Sequence, residues 1–299
     1  MNTFLMLTKR NVKIFFKDKG LFFTSLITPV ILLVLYATFL AKVFKDSFLQ
    51  AANGFEGATE AVVNGMVGGE LFSSLLAVCC VTVAFCSNTL MASDKLSGAR
   101  KDMLVTPVKK RTIAASYYAA TLLTTLIVTY TATAACFLYI AAQGAWFFTA
   151  KNIFLILLDV LLLTMFGTAF SCIVNSFLSS QGQVSGVGTV ISAGYGFICG
   201  AYMPISNFGE TLQKILSCLP GTYGTALLRN HALADVFAEM AEKGFPAETV
   251  EAIKKGVDCS FSFFGRDVTV GAMYAVLAGS VVLLVAVYVL INILRKKRG

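Results

Sequence analysis

The chain has 299 residues, of which 57% are hydrophobic and only 13% are charged, and its formal net charge is +8 at pH 7. Soluble domains carry about 25% charged residues, so this composition excludes an ordinary water-soluble globular protein. The positive charge could suit nucleic acid, but the basic residues flank long apolar segments, which favours a role beside a membrane.

The N-terminal residues 1–20 are predicted to form a basic amphipathic helix on the membrane surface, ahead of a transmembrane domain over 21–299. At 100° per residue, the basic side chains fall within an arc of about 100°, and the apolar ones lie elsewhere. The basic set is Lys9, Arg10, Lys13 and Lys17. Such a helix suits anionic headgroups, and it could equally be a charged lead-in that sets topology; the two roles are compatible.

Six apolar segments are long enough to cross a bilayer, which takes about 20 helical residues. We therefore predict an all-α polytopic membrane protein with spans at 21–41, 71–92, 113–142, 153–178, 184–203 and 270–293. The first span is too long for a signal-peptide core and lacks a following cleavage site, so we expect it to be retained, with a kink at Pro29.

The distribution of basic residues predicts the orientation of these spans. Fifteen of the 24 Lys and Arg lie in the N-terminal segment, in the loop 93–112 and at the extreme C-terminus. Cytoplasmic loops carry an excess of Lys and Arg, so both ends are expected in the cytoplasm. The segments 42–70 and 204–269 are then external.

The second external segment is predicted to contain short helices at 231–243 and 247–255, the first ended by Gly244. Leu212–Leu219 also has helical spacing and is expected to dip into the membrane interface. Cys218 and Cys259 lie in this segment, where they could form a disulfide or remain free thiols. The other six cysteines lie in apolar runs and are interpreted as small buried hydrophobes.

Few residues offer catalytic chemistry. His231 is the only histidine, no GxSxG elbow accompanies it, and we expect it to face solvent or pack locally. No HExxH, CxxC or GxxxxGK[ST] pattern occurs, so the chain is predicted to have no metal, no cofactor and no ATPase site of its own.

The loop 93–112 has internal order that a plain basic tether would lack. Leu96, Met103 and Leu104 could form an apolar stripe on a short helix around Gly98, and Pro107 would close that helix. A short amphipathic helix of this kind is a natural docking element for a soluble partner.

Three patterns together resemble a known family. They are Lys17-Asp18-Lys19 before the first span, the series Asp94-Lys95, Gly98 and Met103-Leu104-Val105-Thr106-Pro107-Val108, and Tyr202-Met203-Pro204-Ile205 followed by Leu219-Pro220, Tyr223 and Leu227-Leu228-Arg229. Because the three patterns occur in this order, the chain is similar, over nearly its whole length, to the permease subunits of type-2 ABC exporters. It departs from the family at Asp94, where Glu is usual, and at Lys101, where an acid is common.

The resemblance implies a permease that pairs with a second permease, as a homo- or heterodimer, and with two ATPase subunits that bind ATP and Mg. It also implies a bacterial plasma-membrane location and a coupling role for the loop. The candidate coupling residues are Asp94, Arg100, Lys101, Met103, Leu104 and Pro107. The charged members could instead be solvated charges without a partner.

Two stripes of small or polar residues recur every four positions within spans. Gly188, Ser192, Gly196 and Gly200 form one, which suits close helix packing, either between two permeases or within one protomer. Thr121, Thr125, Thr129 and Thr133 form the other, which could line a polar path or bond to carbonyl groups one turn back.

Asp159 is the one acidic residue well inside a predicted span, eight residues from Lys151 and thus about 12 Å deep. A charged Asp near the bilayer centre costs about 2.5–3.5 kcal/mol, so it normally pairs or faces a cavity. We expect a substrate or conformational-switch site, or a local structural hydrogen bond, with Lys151 as a possible partner.

These observations favour a permease that exports an amphipathic substrate, such as a drug, an antimicrobial peptide or a lipid-like molecule. A structural or sensing subunit without transport is the first alternative. A membrane-embedded enzyme is the second, although it would need clustered ionisable residues that Asp159 alone does not supply.

Overall fold

The computed structural model describes residues 3–52, 55, 57–260, 262–263 and 266–294, and these are almost entirely helical. The α-helices are α1 (Thr3–Lys17), α2 (Lys19–Leu35), α3 (Ala41–Ala51), α4 (Glu60–Leu96), α5 (Ala99–Val105), α6 (Lys110–Ala142), α7 (Ala150–Phe177), α8 (Gln181–Ile198), α9 (Glu210–Leu216), α10 (Pro220–Glu242), α11 (Ala247–Gly256) and α12 (Val270–Leu294). A two-residue antiparallel pair that was not predicted, β1 (Ser262–Phe263) and β2 (Arg266–Asp267), precedes α12. The C-terminal basic residues 295–298 lie outside the described part of the chain.

Asp18 separates the N-terminal helix from the first span. Its carboxylate accepts a hydrogen bond from the N–H of Leu21 at 3.0 Å and so caps α2. The helical run then continues from Lys19 to Ala51, through a π-helical turn at Tyr36–Leu40. The predicted span 21–41 is therefore too short, because ten residues assigned to the external segment 42–70 extend the same helix.

Five helical runs among the described residues are long and apolar enough to cross a membrane: Lys19–Ala51, Glu60–Leu96, Lys110–Ala142, Ala150–Phe177 and Val270–Leu294. The predicted span 184–203 corresponds to α8, whose glutamines, glycines and serines make it less apolar. α8 also ends at Ile198, and Gly200 follows with a φ of 75°, a left-handed conformation that favours glycine. A sixth crossing by α8 remains a prediction.

The main difference from the sequence prediction concerns α10. It begins at Pro220 rather than at His231, and it packs against α4, α7 and α12 instead of being a short helix outside the transmembrane bundle. Leu227, Leu228 and Leu233 are fully buried in these contacts. Polar residues between the leucines lower the hydropathy of the segment, which is why the sequence concealed a core helix. The predicted helix 247–255 is present as α11, and Gly244 ends α10 with a φ of 83°.

α4 is the central helix of the bundle, in contact with α2, α6, α7, α8 and α10. It packs tightly against α7, where a Cβ on Gly167 would lie 2.6 Å from the carbonyl oxygen of Cys80. Only glycine permits this approach, which brings two spans into backbone contact.

The bundle has two distinct ends. At one, which we call the α5 end, α1 and α5 surround the C-terminal part of α4, where Met91, Ile113 and Tyr117 form a small core. At the other, the α11 end, α3, α10 and α11 enclose the N-terminal part of α4 in a second core that includes Met66 and Ile253.

Candidate functional site

The predicted docking loop forms a projecting helix at the α5 end. Gly98 has a φ of 88°, which breaks the chain direction after α4 and allows α5 to begin at Ala99. α5 ends at Val105, before Thr106 and the exposed Pro107, as predicted. A glycine hinge therefore sets a seven-residue helix apart from the span that precedes it.

The apolar residues of this loop do not form the single stripe that we predicted. Leu96 belongs to α4, and Met103 packs inward against the core of the α5 end. Leu104 and Val105 face outward, with 37% and 88% of their surfaces exposed. The outward surface of α5 thus presents these two apolar side chains beside the exposed Lys101, and Arg100 is half-buried.

Asp94 lies inside the molecule rather than on its surface. Its Oδ2 is 2.6 Å from Nη1 of Arg10, its Oδ1 is 3.2 Å from Nη2 of Arg10, and the hydroxyl of Tyr117 donates to Oδ2 at 2.6 Å. The hydrogen bond to Asp94 raises the pKa of the Arg10 guanidinium, which therefore stays charged. Asp94 joins α1, α4 and α6, and its burial is inconsistent with the predicted direct contact to a partner.

Arg10 corrects the predicted polarity of α1 as well. It was grouped with the outward basic residues, but it points into the bundle beside the buried Thr8, Asn11 and Phe15. The helix packs along α6 through this partly polar face. α1 is therefore attached to the bundle by a specific charge pair in addition to any contact with lipid.

A double-mutant cycle on Arg10→Leu and Asp94→Asn measures this attachment. We expect a coupling energy of about 1 kcal/mol, because Asp94 is buried whereas about a third of Arg10 remains exposed to screening. The measurement is SDS-induced unfolding of the purified protein. The matched control cycle pairs Lys13→Leu with Asp94→Asn. The exposed Lys13 lies on the same helix as Arg10, so the changes in unfolding free energy caused by these two substitutions should be additive. Additive changes for Arg10 and Asp94 would contradict the attachment.

Asp159 is fully buried and binds two groups from other helices. Its Oδ2 lies 2.5 Å from Nδ1 of His231 on α10, and its Oδ1 accepts a hydrogen bond at 2.6 Å from the hydroxyl of Tyr274 on α12. Lys151, the partner considered from the sequence, is exposed. His231 is itself buried, so of the two expected positions it takes the packed one and not the solvent-facing one. The carboxylate connects α7, α10 and α12.

A second buried cluster lies at the α11 end and was not predicted. Arg229 of α10 is 1% exposed, and its Nε is 3.0 Å from Oε2 of Glu70 on α4, while its Nη1 is 3.7 Å from Oδ2 of Asp258. Arg229 also donates to the carbonyl oxygen of Gly200 at 2.7 Å and to Ser74 at 3.2 Å. The arginine was visible in the sequence, but its partners lie 159 and 29 residues away along the chain.

Asp258 fixes the turn after α8 to the end of α11. It accepts hydrogen bonds from the backbone N–H groups of Ile205 and Ser206, and its own φ of 54° is unusual for a residue other than glycine. Burial raises the pKa of its carboxyl group, while Arg229 and the two backbone donors oppose that shift. The cluster thus ties α4, α10, α11 and the turn 199–206 together.

The threonine stripe faces protein rather than an open path. Thr121, Thr125, Thr129 and Thr133 are each at most 3% exposed. Thr129 and Thr133 donate to carbonyl oxygens one turn back at 2.9 and 2.8 Å, and Thr121 donates to Asn88 of α4 at 3.4 Å. Two of the four threonines thus bond to the carbonyl one turn back, whereas Thr121 bonds to a neighbouring helix and the hydroxyl of Thr125 has no partner among the described residues.

The small-residue stripe of α8 divides into two parts. A Cβ on Gly188 would meet open space, whereas one on Gly196 would lie 2.4 Å from the ring of Tyr202 in the same chain. Gly200 lies in the turn beyond α8, and Ser192 is half-buried. The stripe therefore packs within the protomer at its C-terminal end and has an open face at its N-terminal end.

The two cysteines considered for a disulfide, Cys218 and Cys259, are both free thiols. Cys218 is an exposed free thiol, and Cys259 is a buried one. Among the described residues, no group of three or more His, Cys, Asp or Glu side chains is placed to hold a metal ion.

Comparison with known proteins identifies the class of protein that carries this architecture. A family model described as ABC-2 family transporter protein matches residues 49–294, which extends from the end of α3 to the end of α12. No curated protein matches the chain.

Proposed function

The chain belongs to the ABC-2 family of transporter proteins and is an ABC transporter permease, and from this premise we propose that it forms half of an ATP-driven exporter. In this proposal, it pairs with a second permease and with two separate ATPase subunits that bind ATP and Mg. The α5 end faces the cytoplasm of a bacterium, and an amphipathic substrate leaves on the opposite side.

The surface of α5 is the observation that carries the proposal. Leu104 and Val105 are exposed on a helix that a glycine hinge sets apart, next to Lys101. Because the sequence contains no phosphate-binding loop, ATP hydrolysis requires another polypeptide, and an exposed apolar surface with a basic rim suits a protein partner. Closure of the ATPase would move α5, and Met103 would transmit that movement to α4 and α6.

Val105→Asp tests this docking surface. We expect it to lower the affinity for the co-expressed ATPase at least about tenfold, because a carboxylate placed in an apolar contact must lose its hydration. Co-purification and substrate-stimulated ATP hydrolysis in liposomes are the measurements. Ala247→Asp introduces the same charge at an exposed position of α11 and should leave both the co-purification and the ATP hydrolysis unchanged. Full coupling in Val105→Asp would reject the docking role. Coupled hydrolysis without transport would favour a sensing subunit.

The open face of α8 supports the pairing with a second permease. A Cβ on Gly188, in the open part of the stripe, would meet open space, so the backbone of another helix can approach closely there. We propose that this face contacts the partner permease, as part of either a homodimer or a heterodimer. The substrate path would then lie between the two protomers.

A further inference from the structure

A cavity of about 310 Å³ lies at the α11 end, between α3, α4 and α11. Its walls are mainly apolar and include Val43, Phe44, Phe48, Met66, Val67 and Ile253. Sites for small organic molecules have volumes of about 300–1,000 Å³ and apolar linings with a few polar groups. The cavity therefore has the size and character of a small-molecule site.

Glu70 is the ionisable residue in the described lining of this cavity. The residue is 2% exposed, and neither carboxylate oxygen accepts a hydrogen bond from the described residues. Oε2 is near Nε of Arg229, but the contact is a charge pair without an aligned hydrogen bond. Buried polar atoms are almost always hydrogen-bonded, so Oε1, which has no partner among the described residues, can accept a donor from a ligand.

The charges around Glu70 favour a cation. Arg229 is shared between Glu70 and Asp258, at 3.0 and 3.7 Å respectively, so two carboxyl groups face a single guanidinium. Ser47 and Asn207 add neutral polar groups to the lining. A ligand that brings a positive donor to Glu70 would improve the local charge balance, whereas an anion would be repelled.

We propose that this cavity is a binding site for a cationic amphiphile. Its ammonium or guanidinium group donates hydrogen bonds to Glu70, and its hydrocarbon chain fills the apolar space between α3 and α11. The inference deepens the proposed export function by defining the chemistry of the transported molecule. Transport of that molecule rests on the proposed function, but its binding does not.

Binding can be measured without any ATPase. The purified full-length chain in nanodiscs of neutral lipid is titrated with radiolabelled dodecylamine, and empty nanodiscs correct for partitioning. Competition with dodecanol and dodecyl sulfate compares the same chain without a charge and with a negative one. We expect saturable binding of dodecylamine that is at least about tenfold tighter than that of dodecanol, as hydrogen bonds to a charged group imply. Equal displacement by amine and alcohol would overturn the proposal.

Two variants separate the carboxylate from the cavity. Glu70→Gln should abolish the preference for the amine, whereas Glu251→Gln, the same change on the exposed surface of α11, should retain it. Gly256→Leu places a side chain in open space at the cavity wall without altering Glu70, and it should weaken amine and alcohol alike. Unchanged preference in folded Glu70→Gln would refute the proposal; should that variant not fold, unchanged amine binding in Gly256→Leu would refute it.

Transport is a separate measurement. Dodecylamine efflux by the complex with its ATPase tests the export function. Saturable binding without efflux would leave the site intact and reject export of this cargo. Efflux without saturable binding would retain the export function and reject the site.

Discussion

Replacing Arg229 with Met is expected to lower the free energy of unfolding by about 3–5 kcal/mol, which is the usual cost of removing one partner from a buried ion pair. The side chain is 1% exposed and faces Glu70 and Asp258 at 3.0 and 3.7 Å. Met fills a similar apolar volume but leaves two buried carboxyl groups without a counter-charge. SDS-induced unfolding and the yield of monodisperse protein measure the effect.

A second substitution distinguishes lost charge balance from lost packing. Adding Glu70→Gln to Arg229→Met should recover at least half of the lost stability, because Asp258 keeps its bonds to the backbone of Ile205 and Ser206. Lys243→Met is the control: this cation follows α10 directly and pairs with Glu239 at the surface, where such a contact is worth less than about 1 kcal/mol. A double variant no more stable than Arg229→Met alone would contradict the charge explanation.

Replacing Asp159 with Asn is expected to reduce transport at least about fivefold, a coupling of about 1 kcal/mol or more, while expression stays normal. Asn keeps the volume and can still accept the hydrogen bond from Tyr274, but it loses the charged contact to His231. Because this contact joins α7 to α10 and α12, its loss should uncouple their movements. Transport into inverted vesicles, normalised to protein amount, is the measurement.

Thr168→Val provides the matched control for Asp159→Asn. Thr168 is also fully buried in α7, but its hydroxyl has no hydrogen-bond partner among the described residues. Its removal should leave transport and stability nearly unchanged. Full transport by Asp159→Asn at normal expression would eliminate a conformational role and leave a structural hydrogen bond.

Local patterns were sufficient to predict most of the helices. The apolar runs around α6, α7 and α12 have a length that membrane spans require, and Asp18, Gly98 and Gly244 interrupt or end helices through short-range backbone effects. The first half of α10 and the burial of the whole helix were missed because its apolar residues alternate with Arg229 and His231, whose burial depends on distant carboxylates. A hydropathy value describes the transfer of one residue between water and lipid, so it takes no account of a partner on another helix.

The same limit explains the predictions of individual site residues. Asp159 stood out because no other acid lay deep in a predicted span, yet the sequence offered only the nearby Lys151 as a partner. Asp94 appeared to belong to a surface loop because it follows a span, but Arg10 and Tyr117 bury it from 84 and 23 residues away. Charge and spacing identify which residues are unusual; tertiary packing decides what they contact.

The position of α10 in the chain has a consequence for biosynthesis. Glu70 on α4 and Asp159 on α7 are synthesised well before their partners on α10. Arg229 pairs with Glu70, and His231 bonds to Asp159. A chain synthesised through residue 219 therefore carries two carboxyl groups in the forming bundle without their partners from α10. For Asp159, which lies deep in its span, the charged form would cost about 2.5–3.5 kcal/mol near the bilayer centre. Correct assembly cannot be completed span by span in order of synthesis. The bundle is completed only when α10 packs against α4, α7 and α12.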